Sequence, residues 1–129
     1  MLLVKTTVKE STIPNIGLGL FAGEDIPKGN IIWEFNHNVD KVIPIDKLGY
    51  LAKIEKDYLE KYAYRVGSDL ILCSDDGKYI NHSDTPNVHD FIDTHNRSLT
   101  IANRDIKAGE ELFSNYAAFD DDSKDGIKF

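Results

Sequence analysis

The sequence predicts a mainly β protein with minor α content, in which short strands flank one helix near the middle of the chain. Short apolar runs recur and are separated by clusters of turn residues, as in β-rich domains. One stretch after Pro44 departs from this pattern and spaces its apolar residues as a helix does. The 129 residues contain no linker or low-complexity segment, so a single domain is expected over residues 1–129.

The strands are predicted from alternation and from short apolar runs. Leu2, Val4, Thr6 and Val8 alternate with other residues and predict an opening strand. Residues 13–19 are rich in Pro, Asn and Gly and predict a loop. Further strands are predicted at residues 20–22, 30–35, 70–73, 88–92, 99–102 and 112–113.

The predicted helix follows Pro44. Its apolar positions are Leu48, Leu51, Ala52, Tyr58, Leu59 and Tyr62, which roughly follow a helical period. Asp46 is the candidate N-cap, because its side chain can accept a hydrogen bond from a free amide of the first turn. Gly49 lowers the helix propensity of this stretch.

One short pattern occurs twice. Residues 21–29 read F-A-G-E-D-I-P-K-G, and residues 101–109 read I-A-N-R-D-I-K-A-G. Each copy places A-x-x-D-I-x-x-G between two apolar runs, which predicts two similar hairpins, one near each end of the chain. The Ile of each copy is expected in the core, and the Gly is expected to take a positive φ at the end of a turn.

Composition and hydropathy indicate a folded domain and argue against a membrane protein. Hydrophobic residues make up 41% and charged residues 29%, which is typical of a folded domain. No apolar run approaches the roughly 20 residues of a membrane-spanning helix, and residues 1–9 are too short and too charged for a signal peptide. No membrane association and an intracellular location are therefore expected.

The net charge of −7 lies entirely in the second half of the chain. Residues 1–65 carry nine basic and nine acidic side chains, whereas residues 66–129 carry six basic and thirteen acidic ones. Such a half repels the phosphates of nucleic acids and attracts basic peptides, so no direct nucleic-acid binding is expected. Plain solubility explains the same charge equally well.

Cys73 is the only cysteine, so the chain has no internal disulfide, and a small buried core residue is the simplest interpretation. A zinc site would have to use Cys73 with His82, His89 and His95. Their spacing fits no common zinc pattern, so no metal site is expected.

Three clusters could carry chemistry. Gly17-Leu18-Gly19 lets the backbone approach a ligand closely, although such a segment is often only a turn. Residues 79–87, Y-I-N-H-S-D-T-P-N, could equally be a self-bonded loop of Asn, Ser and Thr side chains. Residues 109–116, G-E-E-L-F-S-N-Y, end on a Tyr that in isolation would suit the core or its rim.

Taken together and in this order, these segments resemble the SET-domain family of protein-lysine methyltransferases. The matching stretches are I-G-L-G-L-F-A (16–22), D-I-P-K-G-N-I-I (25–32), Y-I-N-H-S-D-T-P-N-V (79–88) and D-I-K-A-G-E-E-L-F-S-N-Y (105–116). The resemblance covers about residues 5–120. It implies several small β-sheets and a knot-like C-terminal crossing that brings N-H-S beside E-E-L-F-S-N-Y.

The resemblance also implies a site for S-adenosyl-L-methionine and a basic, lysine-containing protein substrate. Residues 16–19 (Ile16, Gly17, Leu18 and Gly19) would line the methyl donor, largely through their backbone. Asn81 and His82 would hold its amino-acid and adenine parts. Tyr116 would be the catalytic residue, where donor and lysine meet. Methyl transfer needs alignment rather than a protein nucleophile, because the lysine amine is itself the nucleophile.

The chain departs from the family pattern in three places. Phe35 stands where many members carry Tyr, and Asn115 where many carry Asp before the terminal Tyr. Residues 117–129 lack the cysteines of the family's zinc-binding tail, so the lysine channel would be closed by Phe119, by Phe129 or by a second subunit in a homodimer. The acidic residues 120–129 either border the substrate groove or are a solvated tail.

Two alternatives stay open beside an active methyltransferase. A non-catalytic SET-like module would bind S-adenosylmethionine or a basic peptide without transfer, which Phe35 and the missing tail would explain. An unrelated β-rich interaction domain would match the motifs by chance and would not bind the donor.

Overall fold

Strands dominate the architecture, as predicted. The computed structural model describes residues 1–95 and 97–115. Within them the strands are β1 (Thr6–Glu10), β2 (Leu18–Ala22), β3 (Ile31–Glu34), β4 (Lys41–Pro44), β5 (Tyr64–Val66), β6 (Asp69–Leu72), β7 (Asn81–His82), β8 (Val88–Ile92), β9 (Ser98–Ala102) and β10 (Phe113–Ser114). One α-helix, α1 (Lys53–Tyr62), and two 3₁₀ helices (Ile45–Tyr50 and Asp76–Tyr79) complete the described part.

Four small sheets hold these strands, which confirms the expectation of several small sheets. β1 and β2 form an antiparallel pair, and β3-β9-β8 and β4-β6-β5 form antiparallel sheets of three strands. β7 and β10 form a short parallel pair. Among the described residues no helix is long and apolar enough to cross a membrane.

The predicted helix is in fact two helices. A 3₁₀ helix ends at Tyr50, Leu51 is extended, and α1 begins only at Lys53. Asp46 is therefore not the N-cap of an α-helix. That position belongs to Ala52, whose amide donates to Glu55 Oε1 at 2.9 Å.

The single-helix prediction was wrong because both short helices bury residues in the same place. Leu48 of the 3₁₀ helix and Leu59 of α1 lie in one apolar cluster with Ala63 and Leu70. Apolar spacing records which side chains face a core, but it does not show that the chain turns between them.

Several predicted strands are confirmed, and three were missed. The run at residues 88–92 coincides with β8, and the opening strand is shorter than predicted because Leu2 forms an isolated bridge with Trp33 instead. β4, β5 and β7 were not predicted. They are two to four residues long, and the apolar run at residues 42–45 was assigned to no strand.

The repeated pattern does not make two separate hairpins. β2 pairs with β1 and not with β3, so the first copy has no hairpin of its own. The two copies pair with each other instead. The amides of Ile26 and Ile106 each donate to the other's carbonyl at 2.8 Å, and both side chains are 1% exposed. Gly29 and Gly109 take the predicted positive φ, at 88° and 92°.

The main core lies where these two copies meet. It consists of Leu20, Ala22, Ile26, Ile32, Val88, Ala102, Ile106 and Leu112. A smaller cluster of Trp33, Ile71 and Cys73 joins it to the β4-β6-β5 sheet, and Cys73 is buried as predicted. The segments around residues 17–19, 81–87 and 111–115 are packed on this frame, which brings the predicted site together.

Candidate active site

The N-H-S segment and the C-terminal segment lie side by side. β7 and β10 run parallel, with Asn81 opposite Phe113 and His82 opposite Ser114. The Ser83 amide extends the contact by donating to the Ser114 carbonyl at 3.0 Å. The juxtaposition implied by the sequence resemblance is therefore confirmed for the described residues.

Asn87 fastens this crossing. Its side chain is 3% exposed, its Nδ2 donates to the Glu111 carbonyl at 2.9 Å, and its Oδ1 accepts from the Phe113 amide at 2.9 Å. The Asn87 amide also donates to the Phe113 carbonyl at 3.2 Å. Only an amide side chain offers a donor and an acceptor side by side in this way, which explains the Asn after Pro86.

The hub of the site is Glu111, a residue whose role the sequence did not reveal. Its carboxylate is buried and accepts hydrogen bonds from Ser11 Oγ at 2.7 Å and from Thr12 N and Oγ1 at 2.7 and 2.6 Å. Asn81 Nδ2 donates to it at 3.2 Å. Burial works to raise the pKa of Glu111, but the bonds from Thr12, Ser11 and Asn81 outweigh burial and lower that pKa.

Glu111 and Asn81 together set the shape of the glycine loop. A Cβ on Gly19 would lie 2.4 Å from Glu111 Oε2 and 3.3 Å from Asn81 Nδ2, so only glycine fits. Asn81 Nδ2 also donates to the Leu18 carbonyl at 3.0 Å. Asn81 thus connects the glycine loop to the C-terminal segment, through the Leu18 carbonyl on one side and the Glu111 carboxylate on the other.

The outer part of the glycine loop is open. Gly17 has φ 98°, and no atom lies within 4 Å of the point where a Cβ would stand. The flanking side chains of Ile16 and Leu18 are 52% and 49% exposed. Exposed apolar side chains beside an open backbone suit a ligand with an aromatic ring, such as the adenine of the predicted donor.

His82 points outward beside this loop. Its Nε2 lies 3.2 Å from Asp84 Oδ1, and its side chain is 41% exposed. Of the predicted donor-binding residues, Asn81 contacts the loop through the Leu18 carbonyl, whereas His82 is exposed and contacts Asp84. Tyr116, Phe119 and Phe129 lie outside the described residues.

Phe35 lines a different space. Its ring packs edge-on to Trp33 with centroids 6.4 Å apart, and its amide donates to the Ser98 carbonyl at 2.9 Å. It faces an open groove of about 730 Å³ that Glu34 and Asp69 also line. The predicted substrate residue is thus placed at a groove wide enough for a peptide.

A second, smaller cavity lies directly behind β10. Its volume is about 80 Å³, and its walls include Trp33, Tyr64, Asp90 and Ser114. Ser114 Oγ donates to Asp90 Oδ2, and Thr100 Oγ1 donates to Asp90 Oδ1. Burial raises the pKa of Asp90 more than these two hydroxyls lower it.

Lys78 stands at the edge of this small cavity among three tyrosines. Its Nζ lies 3.2 Å from Tyr58 Oη and 5.5–5.9 Å from the ring centres of Tyr58, Tyr62 and Tyr79. The hydrogen bond that Lys78 Nζ donates to Tyr58 Oη is the main cause that raises the pKa of Lys78, so its ammonium stays charged. Sequence analysis missed this cation, which precedes Asn81 by three residues.

The described residues offer no group of three or more His, Cys, Asp or Glu side chains that could hold a metal ion. What they form is a glycine loop held by Asn81, a small cavity that Ser114 lines, and an open groove at Phe35. β3 and β8 each contribute to both spaces, with Trp33 and Asp90 at the cavity and Glu34 and Ile92 at the groove.

These features define a small β-rich domain in which a glycine loop and an N-H-S loop are clasped by a C-terminal strand. The family model of the SET domain matches residues 17–117. The chain belongs to the SET-domain family.

Two similar proteins share this domain. Histone-lysine N-methyltransferase EZH2 of Chaetomium thermophilum is 32% identical over 124 residues, covering 83% of this chain and 8% of that protein. Human histone-lysine N-methyltransferase 2D is 31% identical over 115 residues, covering 82% of this chain and 2% of that protein. The chain therefore spans only a small part of the length of these relatives.

Solved structures show the same fold. The Chaetomium thermophilum Polycomb Repressive Complex 2 bound to GSK126 superposes with a TM-score of 0.75 at 26% identity, covering 95% of this chain and 17% of that one. The same complex in an autoinhibited conformation, bound to S-adenosylmethionine, gives 0.71 at 25% identity over 95% of this chain and 16% of that one.

Proposed function

We propose that this domain is a protein-lysine N-methyltransferase that uses S-adenosylmethionine. The observation that carries the proposal is the clasp of Asn81–His82 against Phe113–Ser114, which fastens the predicted donor loop beside the segment that leads to Tyr116. Membership of the SET-domain family supports it, as do relatives named histone-lysine N-methyltransferases and a similar structure bound to S-adenosylmethionine.

The glycine loop fits the donor. Bound S-adenosylmethionine supplies a methyl group activated by a positively charged sulfur. Residues 16–19 would hold it through an open backbone at Gly17 and through the exposed side chains of Ile16 and Leu18. Asn81 keeps the loop in this shape, and the charged ammonium of Lys78, three residues before Asn81, suits the donor's carboxylate.

The rest of the work is alignment and removal of water. A lysine amine attacks directly, so the protein contributes by holding the amine in line, which is worth about 7–11 kcal/mol in well-oriented systems. Tyr116 supplies a ring and an oxygen where the donor and the amine would meet. The enclosed cavity beside Ser114 lets a lysine stem lose its water, which lowers the pKa of its amine in the direction that attack requires.

A basic protein segment is the proposed substrate. The groove at Phe35 is about 730 Å³ and carries the carboxylates of Glu34 and Asp69, which suit a lysine-containing peptide. Neither carboxylate would favour nucleic-acid phosphates, so no direct nucleic-acid partner is proposed. A second copy of the chain is the proposed partner that closes the lysine channel in a homodimer.

The test is a calorimetric titration of the purified protein with S-adenosylmethionine. We expect binding by the native chain, weaker binding by Asn81→Ala and unchanged binding by Asn38→Ala, an exposed asparagine away from the loop. Circular dichroism confirms that Asn81→Ala is folded. If Asn81→Ala and Asn38→Ala bind S-adenosylmethionine with equal affinity, Asn81 is not part of the donor site.

A non-catalytic module is the second candidate, and Phe35 is the observation that favours it. The side chain has no hydroxyl to hold the target amine at the groove. Donor binding without methyl transfer to any core histone or basic peptide would decide for this candidate. Transfer of labelled methyl groups would decide against it.

A further inference from the structure

One carboxylate inside the domain has no role in the proposed function so far. Asp90 lies on β8 and lines the small cavity together with Thr100 of β9 and Ser114 of β10. Both hydroxyls donate to it, one to each oxygen. Among the described residues, the salt bridges do not include Asp90, so its charge has no fixed cation.

Trp33 forms another wall of the cavity. Trp33 is 3% exposed and lines the same cavity. Its Nε1 is, among the described residues, the one buried side-chain nitrogen or oxygen without a hydrogen bond. Because that nitrogen is closed off from any space that a water could enter, Trp33 presents its apolar ring to the cavity.

The remaining walls of the cavity suit an alkyl chain. Tyr64, Cys73 and Ile80 line the cavity together with the ring of Trp33. A cavity with apolar walls and a carboxylate at one side matches a lysine side chain, which has a four-carbon stem and a terminal ammonium. The position also fits, since Ser114 precedes the predicted catalytic Tyr116 by two residues and pairs with His82.

We propose that Asp90 is the group that takes the proton from the ammonium of the target lysine. This inference rests on the proposed methyltransferase function and adds to it a catalytic residue. No general base is obligatory for the reaction in principle, but a carboxylate in the amine's cavity makes the neutral amine available near pH 7.

The step transfers one proton. The N–H bond of the lysine ammonium breaks, an O–H bond forms on the Asp90 carboxylate, and the nitrogen keeps the electron pair. That pair then forms the bond to the methyl carbon, while the electrons of the former carbon–sulfur bond stay on sulfur. The new secondary ammonium keeps its proton until release, and Asp90 returns its own proton to solvent when the cavity reopens.

The surroundings of Asp90 adjust both partners toward this exchange. Burial raises the pKa of its carboxyl, which makes it a stronger base than an ordinary aspartate. The same desolvation lowers the pKa of a lysine amine placed beside it. The titratable groups that face Asp90 are Tyr64, Cys73 and its neighbour His89, and burial raises the pKa of both Tyr64 and Cys73, so they stay neutral. Lys61 and Lys78 line the cavity at its edge.

Asp90→Asn tests the proposal, because it keeps the shape and removes the base. The probe is the histone-tail peptide that the native protein methylates fastest. We expect kcat/KM to fall about 100-fold at pH 7, in the range of general-base effects. The difference in kcat/KM between Asp90→Asn and the native protein should shrink as pH rises toward the pKa of free lysine, about 10.4, because neutral amine then arrives from solution.

A changed substrate separates proton removal from structural damage. The same peptide with thialysine at the target position has an amine of lower pKa, so a larger fraction is neutral without help from the protein. Thialysine should restore most of the activity of Asp90→Asn and change the native protein little. A loss that is equal at every pH and is not restored by thialysine would overturn the proposal.

Two control variants complete the design. Thr100→Val removes one hydroxyl from Asp90 but keeps the base, so its pH profile should retain the native shape. Asp46→Asn changes an exposed aspartate in the 3₁₀ helix and should leave kcat/KM unchanged. Calorimetry should give native S-adenosylmethionine affinity for Asp90→Asn. Weakened donor binding would place Asp90 in the donor site and overturn the assignment.

A measurement without turnover keeps this inference separate from the proposed function. The carboxyl carbon resonance of Asp90 is identified by its absence in Asp90→Asn. It should titrate above the range of an ordinary aspartate and shift on addition of n-butylammonium, but not of n-butanol. If no peptide is methylated, the proposed function fails while this shift still decides whether the cavity binds an ammonium. Absence of the shift overturns the Asp90 site.

Discussion

Asp25 and Asp105, the matching acids of the two repeated segments, each bind the turn of the other segment. Asp25 Oδ1 accepts from the Ala108 amide at 2.9 Å, and Asp105 Oδ1 accepts from the Lys28 amide at 2.8 Å. With the paired backbones of Ile26 and Ile106, this makes a near-symmetric joint between the N-terminal and C-terminal thirds of the domain.

Equal costs are predicted for breaking the two halves of this joint. Asp25→Ala and Asp105→Ala each remove one hydrogen bond to an exposed turn amide, which is worth about 1 kcal/mol. Urea unfolding should show similar losses for both, and Asp46→Ala should show none. A large loss at only one position would mean that the two turns are not equivalent.

Gly19→Ala should destabilise the domain through Glu111. The new Cβ would overlap Glu111 Oε2, and overpacking of this kind costs about 1–3 kcal/mol. In a Glu111→Ala background the overlapping atom is gone, so the same substitution should cost much less. Chemical denaturation of the four proteins measures this coupling, and strict additivity would show that Gly19 does not act through Glu111.

The pKa of Glu111 predicts loss of stability in acid. Hydrogen bonds hold that pKa below its unfolded value of about 4.3, so ionised Glu111 stabilises the fold at higher pH. This contribution is fully present above about pH 4.3 and is lost as pH falls through the lower folded-state pKa. Glu111→Gln should therefore lower the urea midpoint at pH 7 and flatten its decline below pH 4.3. An unchanged acid dependence would contradict the assignment.

Tyr116→Phe should separate binding from transfer. Only the oxygen near the reacting centre is lost, so kcat should fall heavily while S-adenosylmethionine affinity measured by calorimetry stays native. Tyr50→Phe, which alters an exposed tyrosine of the 3₁₀ helix, serves as the matched control. Full activity of Tyr116→Phe would refute its catalytic role.

Cys73 should be unreactive in the folded protein. Burial, together with the charges of Asp40 and Asp75, raises the pKa of its thiol well above the ordinary value, and only the thiolate reacts. Labelling with Ellman's reagent should therefore follow unfolding as urea is added. Rapid labelling in buffer would show that the cluster of Trp33, Ile71 and Cys73 opens in the native state.

Part of the layout of the site could be predicted from the sequence. The adjacency of N-H-S and E-E-L-F-S-N-Y was implied by the resemblance to the SET-domain family and is confirmed in the pairing of β7 with β10. Glu111 was inside the quoted motif, yet its role depends on Ser11 and Thr12, about 100 positions away, and no local pattern encodes such a contact.

Asp90 escaped sequence analysis for a related reason. In the predicted strand at residues 88–92 alternation puts Asp90 on the same face as Val88 and Ile92, but an aspartate is usually exposed, so nothing in the sequence indicated a buried one. Its burial depends on how β8, β9 and β10 come together around the cavity. The two short helices were merged because their apolar residues serve one cluster, and the repeated segments were predicted as hairpins because sequence cannot distinguish pairing within a copy from pairing between copies.

The hydrogen bonds between Asn87 and residues 111–113 also affect the order in which parts of the chain fold. Every hydrogen bond that shapes the glycine loop through Glu111 spans at least 30 positions, and three of them span 99 or 100. Long-range closure of this kind is slow, because the entropy of a large loop must be lost before the contact forms. Until the segment that carries Glu111 has been synthesised, the hydrogen bonds that shape the glycine loop cannot form.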